Sequence, residues 1–89
     1  MIVGKVMGSV VSTRKSERLL GSKLMIVQPV AQMSRDNAQL VAVDNVGAGV
    51  GELVLVAFGS AARIGCDKET APIDAAIVGI VDNDCNSFR

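Results

Sequence analysis

The sequence predicts an all-β fold, a small five-stranded barrel with one short helical turn. Three observations carry that expectation. Apolar residues fall into five short runs, each bounded by stretches rich in glycine, proline or charge. No stretch sustains the longer apolar period of a helix beyond about one turn. The first run places glycines among its apolar positions, as a sharply coiled barrel strand requires.

Taken in order, Ile2 to Val11 reads as the first strand. Its even positions, Ile2, Gly4, Val6, Gly8 and Val10, are all apolar or glycine and are expected to face inward. Thr13 to Ser22 is a charged polar loop punctuated by Gly21. Leu24 to Val27 is the second strand, closed by Pro29, which cannot donate to a sheet ladder. Gln32 to Gln39 is polar, with Asp36-Asn37 a candidate turn. Leu40 to Val43 forms the third strand and Asp44 to Gly51 a glycine-dense turn. Glu52 to Phe58 is the fourth strand. Gly59 to Arg63 makes about one helical turn with Ser60 as its N-cap. Cys66 to Asp74 is a polar loop, Ala75 to Val81 the fifth strand, and residues 83–89 a polar tail after a domain of residues 1–82. Five short strands and one helical turn match a barrel of the oligonucleotide-binding type.

Two of the strands are apolar on both faces, and a small closed barrel has only one interior. Along Leu24–Val27 and Leu53–Phe58, one set of side chains must find cover elsewhere. In the latter, the outward set is either Val54, Val56 and Phe58 or Leu53, Leu55 and Ala57. A loop or the helical turn supplies some of that cover, and a neighbouring subunit is expected to supply the rest.

Composition narrows the function. The chain is 49% hydrophobic, yet Phe58 and Phe88 are its only aromatic residues, so the core is aliphatic. Nine basic and nine acidic residues cancel. A single-strand nucleic-acid binder would carry a basic excess and aromatic platforms, and this chain has neither. That reading is kept as the alternative to a structural protein. No tract approaches the ~18 apolar residues that span a bilayer. Lys5 interrupts the apolar start, so no signal peptide and no membrane partner are expected. Cys66 and Cys85 form no C-x-x-C pair, which suits thiols in a reducing cytoplasm.

Candidate chemistry is thin. Gly47-Ala48-Gly49-Val50-Gly51 brings its third glycine one position early for a dinucleotide fingerprint, and a strand follows where a helix is needed. It reads as a tight turn. Without histidine, a general base would have to be an Asp, Glu, Lys or Cys with a shifted pKa. Asp44, Glu52, Asp74, Asp82 and Asp84 mostly flank strand ends, as turn-forming carboxylates do. Asp82-Asn83-Asp84 lacks the glycine and distal glutamate of a calcium loop. Asp67 beside Cys66 disfavours its thiolate. No catalytic residue, metal site or cofactor is expected. Arg14-Lys15-Ser16-Glu17-Arg18 is a solvated loop or a charged edge that meets another protein.

Several segments together resemble the EutN/CcmL family of bacterial microcompartment vertex proteins. They are Thr13 with Lys15, Gly21-x-Lys23-Leu24, Ala42-Val43-Asp44, the turn Gly47 to Glu52, Val54-Leu55-Val56 and Gly59-Ser60-x-Ala62-Arg63. Pro72-Ile73-Asp74-Ala75 and Val78 to Asp82 complete the match. The resemblance implies a non-catalytic structural protein whose pentamers cap the vertices of a polyhedral shell in the cytoplasm. The facets of such shells are hexamers of another fold. It implies that Gly47, Ala48, Gly49, Val50 and Gly51 approach a central opening. Glu52, Arg63, Val54 and Val56 are expected at the subunit interface, and Arg14 and Lys15 at the contact with other shell proteins. Ala61 stands where the family more often has serine.

Overall fold

The computed structural model describes residues 1–11, 21–30, 38–65 and 73–81. Five strands and one helix follow in the order β1 (Ile2–Val10), β2 (Lys23–Pro29), β3 (Leu40–Asp44), β4 (Leu53–Phe58), α1 (Gly59–Gly65) and β5 (Ala75–Ile80). The strands close into a barrel in the spatial order β1-β2-β3-β5-β4. All neighbours are antiparallel except β3 and β5, which meet in parallel at Val43–Ala76 and Asp44–Ile77. The expected elements are therefore present, with ends within a few residues of those the sequence indicates. The charged loop with Arg14 and Lys15, the Asp36-Asn37 turn, Cys66, Cys85 and the polar tail lie outside the described residues.

Alternation sorts the side chains. Val6, Met25, Val27, Ala42, Val54, Val56, Ala75 and Ile77 fill the barrel, with Ala48 among them. Apolar, and either β-branched or small apart from Met25, they pack the narrow interior without leaving side-chain N–H or O–H groups to satisfy. Inward-facing Gly4 is required by space, because a Cβ there would run into Val27 Cγ1 and the backbone oxygen of Gln28. Strands β1 and β2 thus approach more closely than side chains on both would permit.

The simple alternation expected of the first strand breaks at Met7. The register of β1 against β2 shifts between Val6 and Gly8, so Val6 pairs with Val27 while Gly8 pairs with Ile26. A bulge adds one residue to a strand and turns everything after it to the other face. Gly8 and Val10 therefore sit on the outside, in line with Ile26 and Leu24, rather than facing inward.

A second, smaller core lies outside the barrel. Val43, Ala57 and Ala76 meet Ala62 of α1 and Ile73, with Leu24 and Val78 packed against them. Seven residues are too few for a helix to stand alone in water. Burial of Ala62 against the sheet holds α1, and Arg63 in its last turn suits the helix dipole. The helix begins at Gly59, whose N–H donates to the Asp74 carbonyl at 2.9 Å, so Ser60 falls inside the first turn rather than capping it.

Of the two outward sets left open for β4, the structure selects Leu53, Leu55 and Ala57. Ala57 is covered by the second core, while Leu53 and Leu55 remain half-buried.

A candidate assembly site at the glycine turn

Asp44, the last residue of β3, organises the turn that follows. Its Oδ1 accepts hydrogen bonds from the Val46 N–H at 3.0 Å and the Gly47 N–H at 3.1 Å. Its Oδ2 accepts from the Ala48 N–H at 2.9 Å. Short side chains with an acceptor fold the chain back on itself in this way at strand ends. The side chain is only 9% exposed, the one buried charged residue among those described. Three donors offset the cost of removing the carboxylate from water. The wrapped backbone drops the Ala48 methyl into the end of the barrel.

A tight turn then closes over Gly49 to Glu52. The Glu52 N–H donates to the Gly49 carbonyl at 3.1 Å, and the Gly49 N–H donates to Glu52 Oε1 at 2.6 Å. Gly51 occupies the third position with φ of +91°, the left-handed conformation that a type II turn needs there. The Gly51 N–H donates to the Val6 carbonyl at 2.8 Å, and the Val6 N–H to the Glu52 carbonyl at 3.0 Å. The turn is thereby stitched to β1. At its tip Val50 is 68% exposed, and Val46 is exposed beside it.

Glu52 therefore finds a partner inside its own turn. Arg63 donates from Nη1 to the Ile73 carbonyl at 3.2 Å and braces the approach to β5. Val54 and Val56 require a correction. Both are 0% exposed and belong to the barrel interior, so they present nothing to a second subunit. Their neighbours Leu53 and Leu55 hold the outward positions, because alternation sends adjacent residues to opposite faces.

Asp44 is the residue that sequence reasoning placed too casually, among carboxylates that merely flank strands. The signal was present: an Asp at a strand end followed by Asn45, Val46 and Gly47 is an Asx-type turn. Chemically, the arrangement holds a backbone shape. Both carboxylates of the turn accept hydrogen bonds from peptide N–H groups of that same turn, and its tip is aliphatic. Among the described residues no group of three potential metal-ligating side chains comes together, and no helix is long and apolar enough to cross a membrane.

Comparison with known proteins gives this arrangement its context. Residues 1–82 match the family described as ethanolamine utilisation protein EutN/carboxysome. The chain is 51% identical over 83 residues to the bacterial microcompartment shell vertex protein GrpN of Rhodospirillum rubrum (strain F11), covering 92% of this chain and 93% of that one. It is 48% identical over 87 residues to the shell vertex protein PduN of Salmonella typhimurium, covering 92% and 96% of the two chains. The solved structure of the GrpN pentameric microcompartment shell protein from R. rubrum superposes with a TM-score of 0.81 at 49% identity, covering 93% of this chain and 95% of that chain. The oligonucleotide-binding alternative finds no support among these relatives. With the match spanning nearly every residue, the chain belongs to the EutN/CcmL family of microcompartment shell vertex proteins.

Proposed function

We propose that this chain is a structural subunit whose homopentamers close the vertices of a bacterial microcompartment shell in the cytoplasm, without catalytic activity of its own. The observation that carries the proposal is the near full-length match to shell vertex proteins, one of them solved as a pentameric shell protein. The half-buried outward leucines of β4 support it, since a soluble single barrel has no use for them.

In this reading the turn from Gly47 to Gly51 approaches the central opening. Five copies converge there, and residues without large side chains leave room for backbone. Glu52 and Arg63 shape the turn and the β5 approach next to the subunit interface. Arg14 and Lys15 supply charge toward the hexameric facet proteins.

The test is shell closure. Co-expressed with hexameric facet proteins of a microcompartment shell, the chain should convert open or leaky shells into closed polyhedra. Closed shells formed equally well without it would remove the vertex role.

A further inference from the structure

We propose that the barrel opens locally along the parallel seam between β3 and β5, and that Asp44 ties this seam to the glycine turn so that the two release together. Nothing in this coupling requires a second copy of the chain.

Two residue pairs, Val43–Ala76 and Asp44–Ile77, make the ladder of the seam, against at least four in each antiparallel neighbour. Parallel pairing is also slightly the weaker per residue. The closed wall therefore parts here at the least cost in backbone hydrogen bonds, and packing must hold it shut. Alternation assigns one rung to each face. Val43 and Ala76 point outward into the second core, with Ala57, Ala62 of α1 and Ile73. Ile77 points into the barrel, where Ala48 of the turn belongs to the same core.

On the β5 side of the seam, α1 is fastened to the strand. The Gly59 N–H donates to the Asp74 carbonyl at 2.9 Å, and Arg63 Nη1 to the Ile73 carbonyl at 3.2 Å. At the far end of the helix, a Cβ added to Gly65 would lie 2.9 Å from Val78 Cγ1. On the β3 side, everything passes through Asp44. Its backbone pairs with Lys23 on one flank and Ile77 on the other. Its carboxylate accepts from the N–H groups of Val46, Gly47 and Ala48.

The other end of the turn is anchored to β1, through the Gly51 N–H to the Val6 carbonyl and the Val6 N–H to the Glu52 carbonyl. If β3 leaves β5, Asp44 moves while that anchor stays. Either its three acceptor bonds break or Ala48 is drawn from the barrel, and in both cases the turn's amides lose protection. Close-packed interiors hold discrete arrangements rather than graded ones. Seam and turn are thus one two-state element. A change in the second core biases it and reaches the turn without touching it.

Hydrogen–deuterium exchange of the whole protein at one concentration, read by mass spectrometry on peptic fragments, tests the coupling. Ile73→Val thins the second core by one methyl group. It should speed exchange about two- to tenfold in residues 45–51, 59–65 and 75–80 together, with residues 2–10 unchanged. Coupling is reciprocal, so Asp44→Asn should speed residues 59–65 and 75–80. Gly4→Ala is the control. It strains the contact of β1 with β2, away from the seam, and should speed residues 2–10 and 23–29 without speeding 45–51. Residues 45–51 that keep the parent rate in Ile73→Val overturn the coupling, as do residues 59–65 and 75–80 that keep it in Asp44→Asn. Equal acceleration of every segment, residues 2–10 included, overturns the local seam, because exchange then runs through global unfolding.

Discussion

Replacing Asp44 with alanine removes the acceptor shared by three backbone N–H groups. The consequences differ by donor. Val46 and Gly47 are exposed, so their N–H groups regain water and lose only the net gain of the bond. The Ala48 N–H is buried and keeps no acceptor, which costs the full desolvation of a peptide donor, about 1–3 kcal/mol. Together the loss is about 2–4 kcal/mol, a large share of the ~5–15 kcal/mol that holds a domain together. At about 4–8 °C per kcal/mol for a domain of this size, Tm should fall by roughly 10–30 °C. Asp44→Asn separates geometry from charge. Its carbonyl oxygen can still serve Val46 and Gly47, but its NH2 faces the Ala48 donor, so about half the loss should remain. Urea and thermal unfolding followed by far-ultraviolet circular dichroism measure both, at one protein concentration because assembly makes Tm concentration-dependent. An Asp44→Ala chain with the Tm of the parent would refute the claim that this carboxylate organises the turn.

Three further outcomes follow from the packing. Gly4→Ala should destabilise by about 1–3 kcal/mol in urea unfolding, because its methyl enters space held by Val27 and the Gln28 backbone. Gly51→Ala should cost about 1–2 kcal/mol by the same assay, from forcing a Cβ into the left-handed conformation at φ +91° rather than from any clash. Val54→Lys should yield an unfolded or aggregated chain, since it buries a charge in the barrel, whereas Leu55→Lys should keep the barrel's circular dichroism. Equal folding of those two variants would contradict the assignment of inside and outside on β4.

The strands were legible because their apolar runs are short and separated by strong punctuation. What a two-residue period cannot decide is which of two apolar sets faces inward. In β4 both sets are apolar, and only its register against β1 and β5 places Val54 and Val56 within. The bulge at Met7 escaped for a related reason. Gly8 and Val10 look as suited to the interior as Ile2 and Val6, and nothing in the residue types marks the extra residue. The glycine turn was visible as a turn, since a run of glycines followed by a strand admits few other structures. Its wiring was not. That the Glu52 carboxylate returns to Gly49, three residues earlier, depends on backbone geometry that one-dimensional spacing leaves open. A leucine at position 49 would meet Glu52 Oε1 at 3.3 Å in its own chain, so crowding there begins before any neighbour arrives.

The half-buried outward leucines of β4 and the match to shell vertex proteins support the reading proposed above, a closed ring of five. Native mass spectrometry of the unmodified protein at micromolar concentration tests it most directly. The account predicts one dominant species at five times the 9.2 kDa chain mass. A stable monomer, or a dimer as the largest species, would contradict it.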